Sequence, residues 1–207
     1  MTLSPTDAPL PPGLLASLAA SAGQPRAVLI RHGDRPPIPS GQAGFATPLT
    51  ASGERRARAL GRALGRLDWA VSSPIFRCVR TAELAGRAAE PSPLLGAPGA
   101  FVTDEALGGA VFAEHGTMTV VRAHVASGRG WGCLRPVAEG ALPILASLSS
   151  RLESGDGLAV SHDAVVIPVV ALVAGHLFGH DWLEPLDGIV VCAGVAYWRG
   201  AAFALPT

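Results

Sequence analysis

Lysine is absent from this chain of 207 residues, and all sixteen of its basic residues are arginine. Alanine, glycine and proline are abundant, so the missing lysine reads first as a compositional bias. Sixteen acidic residues balance the arginines and leave no net charge. Such a chain lacks the basic face that releases phosphate counterions, which argues against a nucleic-acid partner. It also lacks the polybasic cluster of a membrane-surface anchor. Cysteine is scarce: Cys78, Cys133 and Cys192 are odd in number and far apart, a pattern that fits neither a disulfide framework nor a zinc site. A reducing, cytoplasmic setting is therefore expected. Long hydrophobic runs are missing too, because the longest, Ala164 to Gly175, is too short to span a bilayer and carries Pro168. Leu14 to Ala22 has the small, apolar character of a signal-peptide core, but no basic residue precedes it and Pro11-Pro12-Gly13 interrupts its flank. It is expected to be an N-terminal helix opened by Pro12.

What is present suits one globular unit. Hydrophobic residues make up 49% of the chain and charged residues 15%, and at this length roughly 70% of the unfolded surface is buried on folding. One domain over 1–207 is expected, with residues 1–24 as a leader or helix. Arg26-Ala27-Val28-Leu29-Ile30 is a short apolar run typical of a strand buried on both faces. It stops at Arg31-His32-Gly33-Asp34-Arg35-Pro36-Pro37, where glycine and prolines force a loop. Thr50 to Glu54 then offers a helix start, followed by Ala57, Leu60, Leu64 and Leu67 on one stripe and Arg55, Arg58, Arg62 and Arg66 on the solvated one. Trp69-Ala70-Val71 predicts a second strand, with a helix from Ile75 to Ala89 behind Pro74. Gly157 to Val160 predicts a third strand, followed by a valine-rich helix. Between them a helical pattern runs from Val137 to Leu152, and Pro143 places its start near Ala141. Gly188 to Leu205 reads as closing strands around a turn at Arg199-Gly200. The repeated order strand, polar loop, helix predicts an α/β fold: a three-layer α/β/α sandwich with a mainly parallel central sheet.

In open α/β sheets ligands bind beyond the carboxyl ends of the parallel strands. Three such ends are polar here: Arg31-His32, Ser72-Ser73 with Arg77, and Ser161-His162-Asp163. Two imidazoles and the guanidiniums of Arg31, Arg35 and Arg77 make a set suited to a dianion with several oxygens, because the planar guanidinium fork pairs with phosphate through two parallel bonds.

These residues carry a resemblance. Arg31-His32-Gly33 with Ser161-His162, Leu49-Thr50-Ala51-Ser52-Gly53, and the segment from Ser72-Ser73-Pro74 through Arg77 to Thr81-Ala82-Glu83 are similar to the ordered motifs of the histidine phosphatase superfamily. That superfamily includes phosphoglycerate mutases and acid phosphatases. The resemblance implies a phosphoglycerate mutase-like fold and a phosphohistidine mechanism. His32 would be the nucleophile. Arg31, Arg35, Arg77 and His162 would hold the phosphoryl oxygens, with His162 also in the catalytic set. No metal or other cofactor is implied, and the partner is a small phosphorylated substrate.

The resemblance is mixed at the general acid. Arg35 and His162-Asp163 resemble the acid-phosphatase branch, in which the aspartate protonates the leaving oxygen. Phe101 to Gly108 is a partial match to the mutase branch's L-x-E-x-x-G segment through Glu105 and Gly108. Asp163 and Glu105 are thus both candidates, with Asp163 preferred. The chain has no room for the large helical insert of acid phosphatases. A small cap over about 104–135 could contain Glu114, His115, Arg122, His124 and Trp131, to which the sequence assigns no role. The end Ala204 to Thr207 offers no polar tail to close over a site, which favours hydrolysis over a mutase. The expected function is phosphomonoester hydrolysis through phosphohistidine, the alternatives being a phosphomutase, a phosphohistidine protein phosphatase or a non-catalytic phospholigand binder. The physiological substrate and the oligomeric state are not encoded in any motif.

Overall fold

A computed structural model describes residues 9–39 and 44–206, so residues 1–8 of the expected leader lie outside it. The rest of the leader forms helix α1 (Pro12–Ala20), with Pro at its first position and Leu14 and Leu18 buried. Seven strands follow: β1 (Ala27–Arg31), β2 (Trp69–Ser72), β3 (Glu90–Pro91), β4 (Gly157–Ser161), β5 (Gly188–Cys192), β6 (Val195–Trp198) and β7 (Ala201–Ala204). They form one mixed sheet in the order β3-β2-β4-β1-β5-β6-β7. β1 and β2 each run parallel to β4, and β3 runs parallel to β2. β5, β6 and β7 complete the sheet with antiparallel pairings. The parallel half therefore has its carboxyl ends side by side.

Side-chain alternation on β1 generates the layers. Ala27 and Leu29 face a core built with Ile144, Leu148 and Val166. Val28 and Ile30 face a second core with Leu14, Leu60, Leu64 and Ala82. This is why the strand reads as an unbroken apolar run. The first core is covered by α6 (Val137–Arg151) and α7 (Asp163–Ala174), and the second by α1, α2 (Ala51–Leu64) and α3 (Phe76–Leu84). The expected three-layer α/β/α sandwich is thus observed.

Several boundaries differ from the sequence expectation for physical reasons. α2 starts where expected, because Thr50 Oγ1 accepts from the Gly53 N–H at 2.9 Å. α3 starts only at Phe76, with Ile75 as its cap, so Pro74 stands before the helix rather than in it. It ends at Leu84, two residues before Gly86 takes a φ of 108°. α6 starts at Val137, not near Ala141, and holds Pro143 inside. Pro143 removes one helical hydrogen bond, yet Ala141, Ile144, Leu145 and Leu148 on this helix are buried. Gly140 packs against Phe101 so closely that a Cβ there would lie 2.3 Å from the ring. Apolar burial holds the helix together across the proline. The expected cap segment is a pair of helices, α4 (Glu105–His115) and α5 (Thr117–Ser127), joined at Gly116. Among the described residues no helix is long and apolar enough to cross a membrane.

Candidate active site

The sheet register assembles the site. Arg31 lies opposite Ser161 across the β1–β4 pair. Just beyond, the His32 N–H donates to the Ser161 carbonyl at 2.8 Å, and the Ser73 N–H donates to that of Val160 at 2.9 Å. The loops after β1, β2 and β4 are thereby tied together, which brings His32, Ser73 and His162 to one place. Arg77 reaches it from the first turn of α3.

His32 is 2% exposed. Its Nδ1 lies 2.7 Å from the Gly33 carbonyl oxygen, which can only accept, so Nδ1 carries the proton. Nε2 consequently holds a lone pair, and it accepts from Arg77 Nε at 3.0 Å. Burial, and then the adjacent His162 and Arg77, hold the His32 pKa well below the usual 6.5. The ring is neutral at physiological pH. His162 obeys the same logic. Its Nδ1 lies 3.2 Å from Arg77 Nη2, and a guanidinium only donates, so the proton sits on Nε2, 2.9 Å from Ser73 Oγ. Burial and the Arg77 charge press the His162 pKa down to about 3. The two rings meet edge to face with centroids 5.4 Å apart.

Neutral enclosed imidazoles affect stability with a definite sign. Above the 6.5 of an ordinary histidine, His162 is uncharged in both the folded and unfolded states. As pH falls below 6.5 the unfolded chain takes up a proton that the native ring refuses, down to about pH 3, so stability is lost. The slope from one such group is at most about 1.4 kcal/mol per pH unit. Urea unfolding of the wild type and His162→Gln at pH 7.5 and 5.5 should therefore show the wild type losing more stability than the variant. Parallel losses would contradict a neutral native His162.

The three arginines are gathered around one carboxylate, Asp163. Burial, ahead of all other influences, lowers the pKa values of Arg77 and Arg35, and Arg31 adds to the lowering at both. Arg77 Nη1 donates to the Gly44 carbonyl at 2.9 Å, and Arg35 Nη1 to that of Pro36 at 2.9 Å. The Nε atoms of Arg31 and Arg35 are buried with no hydrogen-bond partner. Such orphaned donors are costly unless an anion meets them.

A second set of residues holds the loop after β1. Gly33 N–H donates to Thr81 Oγ1 at 3.1 Å, and that hydroxyl donates to the Arg77 carbonyl at 2.7 Å. Asp34 pairs with Arg56, whose Nη1 lies 2.8 and 3.0 Å from its two carboxylate oxygens. Gly53 has no room for a side chain, since a Cβ there would lie 2.4 Å from the Asp34 carbonyl oxygen. Cys78, fully buried, fills space 3.6 Å from His162 Nε2, and burial pushes its thiol up to about 12.

One cavity of about 850 Å³ contains His32, Arg35, Arg77, His162, Asp163 and Glu105 in its lining. Six of the seven expected site residues thus converge. Arg31 lies outside the lining, with its Nη1 on the Leu183 carbonyl and its Nη2 3.3 Å from Asp163 Oδ2. The two acid candidates differ in their surroundings. Asp163 Oδ2 also accepts from Trp182 Nε1 at 3.2 Å, and Oδ1 accepts from the Ala164 N–H at 3.0 Å. Glu105, the first residue of α4, is exposed to the cavity. Ser73 was read as a polar strand end without a role of its own, and Thr81, Arg56 and Trp182 were not singled out from the sequence. Thr81 stands inside a quoted motif and could have been; Arg56 and Trp182 have no local signal.

The comparisons with known proteins bear on the family and the fold. A family model described as histidine phosphatase superfamily (branch 1) matches residues 27–96, the stretch that holds His32 and Arg77. No curated protein matches the chain. Among solved structures, a mycobacterial glucosyl-3-phosphoglycerate phosphatase is 16% identical with a TM-score of 0.52, covering 83% of this chain and 90% of that one. A protein described as mycobacterial hydrolase 2 is 18% identical with a TM-score of 0.53, covering 84% and 83%. A phosphoglycerate mutase from Thermus thermophilus is 24% identical over 87% of this chain and 99% of its own, with a TM-score of 0.46. The two mycobacterial structures establish a shared fold.

Proposed function

We propose that this chain, which belongs to the histidine phosphatase superfamily, hydrolyses a phosphomonoester of a small metabolite through a phosphohistidine on His32. The observation that carries the reading is the neutral His32 ring, with its proton on Nδ1 and its Nε2 lone pair held by Arg77 Nε in a cavity that both residues line. A nucleophile needs that tautomer and that protonation state.

The ester's phosphoryl group enters between His32, Arg77, Arg35 and His162. Arg77 turns its donors from Nε2 to the phosphoryl oxygens, which frees the lone pair. Nε2 then attacks phosphorus, the bond to the ester oxygen breaks, and the leaving oxygen takes a proton from a carboxylic acid. In the second half, water attacks the phosphohistidine, the same carboxylate accepts its proton, and His32 departs with its electron pair. Charge on the equatorial oxygens meets preorganised cations throughout. No step calls on a metal ion, and the same turnover is expected with and without a chelator.

We assign the acid to Glu105 rather than to Asp163, which the sequence alone had favoured. The support is the partner set. Both residues line the cavity, but Asp163 accepts from Trp182 and Ala164 and pairs with Arg31, so it serves to position Arg31, whereas Glu105 is exposed. A general acid matters in proportion to how poor the leaving group is. Glu105→Gln should lower kcat/KM, which reports the phosphorylation half, by about 10²–10⁴-fold for an alkyl phosphate and leave kcat/KM for 2,4-dinitrophenyl phosphate nearly untouched. Asp163→Asn should slow both esters alike. The opposite pattern would return the acid role to Asp163.

A further inference from the structure

The cavity is much larger than a phosphoryl group, and its two ends differ in kind. The end at the strand termini holds Arg35 and Arg77, which are the only arginines among the described lining residues, and the chain has no lysine. The other wall comes from α4 and α5 with the residues around them. Phe101, Phe112, Val121 and Leu134 line it, and Phe45 and Ile75 flank it. Phe101 and Val121 are buried at 3% and 1% exposure, so this surface belongs to the packed core and is already formed.

None of the described lining residues of this wall is an arginine; Arg135, whose carbonyl takes the His124 bond, follows Leu134 in the chain and stands outside the lining. Arg122 is spent on the carbonyls of Phe178 and Gly179, and Arg129 stacks on Trp131 with its guanidinium carbon 3.6 Å from the ring centre. His124 lines the cavity, but its Nε2 donates to the Arg135 carbonyl at 2.9 Å and burial lowers its pKa, so it stays neutral. His115 Nε2 lies 3.7 Å from Glu114 Oε1, which matches any positive charge on the ring. The acidic residues of the far wall are Glu105 and Glu114, and with Glu105 protonated as the general acid the charge left is that of Glu114. Residues 40–43, next to the lining residue Pro39, are Ser-Gly-Gln-Ala and carry no charge.

From this asymmetry, and resting on the phosphatase reading above, we propose that the substrate is a phosphomonoester whose leaving group is apolar and bears no second anionic group. A second phosphate or a carboxylate on the leaving group would lie on this wall, against Phe112 and the Glu114 carboxylate, desolvated and unpaired. An aryl or branched alkyl group would bury its surface there. The site therefore selects against phosphorylated acids and bisphosphates.

Two isosteric phosphonates test this without any need for turnover: 4-isobutylbenzylphosphonate and 4-(carboxymethyl)benzylphosphonate, titrated into the full chain by calorimetry. The isobutyl compound should bind at least about tenfold more tightly. Phe112→Ala should weaken it by about tenfold and change the carboxymethyl compound by less than about twofold. Glu114→Arg, an exposed position where folding is not at risk, should tighten the carboxymethyl compound by about threefold and leave the other unchanged. Equal affinities, tighter binding of the carboxylate, or binding of neither overturns the proposal. Hydrolysis of 4-isobutylphenyl phosphate reports separately on the phosphatase reading. If turnover is absent while the ligand preference persists, that reading fails and the selectivity stands.

Discussion

Replacing His32 by alanine should lower kcat for phosphomonoester hydrolysis by at least about ten-thousand-fold, with the fold and phosphate binding retained. The size follows from what the side chain does in the proposed route. His32 supplies the attacking lone pair in that route, its tautomer fixed by its own hydrogen bonds. The Nδ1 proton of His32 is committed to the Gly33 carbonyl, and burial keeps the ring uncharged. Removing a nucleophile from a cooperating set costs nearly as much as removing the set, so the residual rate should be that of oriented water alone. Retention of fold is expected because β1 ends at Arg31 and its pairing with β4 does not involve the imidazole. The check is steady-state turnover of an aryl phosphate beside a phosphate-binding titration on the same variant. A loss of less than about tenfold would remove His32 from the bond-making step.

Arg77→Lys should be nearly as damaging, lowering kcat/KM by about 10²–10³-fold although the charge is kept. Three donors of one guanidinium are in use: Nε on His32, Nη2 on His162 and Nη1 on the Gly44 carbonyl. A planar fork can hold these positions together and then turn two parallel donors to a phosphoryl group. An ammonium is a single point at the end of a flexible stem. The lysine variant should thus leave His32 less well oriented and bind phosphate less tightly, so that kcat falls and the inhibition constant of inorganic phosphate rises. An inhibition constant unchanged in the variant would show that Arg77 does not contact the phosphoryl oxygens.

Much of this was legible in the sequence because it rests on local chemistry. The run Ala27 to Ile30 announced a doubly buried strand, since both faces of β1 meet a helical layer. Thr50 announced the start of α2 through a hydroxyl three residues from its N–H partner. The polar strand ends at His32, Ser73 and His162 could be paired because parallel strands align their carboxyl termini. The parts that stayed hidden depend on contacts far apart in the chain. Arg56 lies among the arginines of α2 with no motif of its own, yet it holds Asp34 from 22 residues away. Trp182 and Leu183, which fix Asp163 and Arg31, lie in a loop without periodicity. Pro143 misled by its ordinary meaning, because tertiary burial of α6 outweighs one missing bond. Asp163 and Glu105 could be named as acids, but their difference lies in which donors surround each oxygen, and that is a property of packing.

The phosphoenzyme decides the account most directly. The chain should be mixed for milliseconds with a ³²P-labelled aryl phosphate, quenched in alkali where phosphohistidine survives, and digested so that the labelled peptide can be sequenced. The label is expected on His32, forming and decaying at rates that match turnover, with all of it ending as inorganic phosphate. Turnover that proceeds while His32 stays unlabelled, or a label on any other residue, would contradict it.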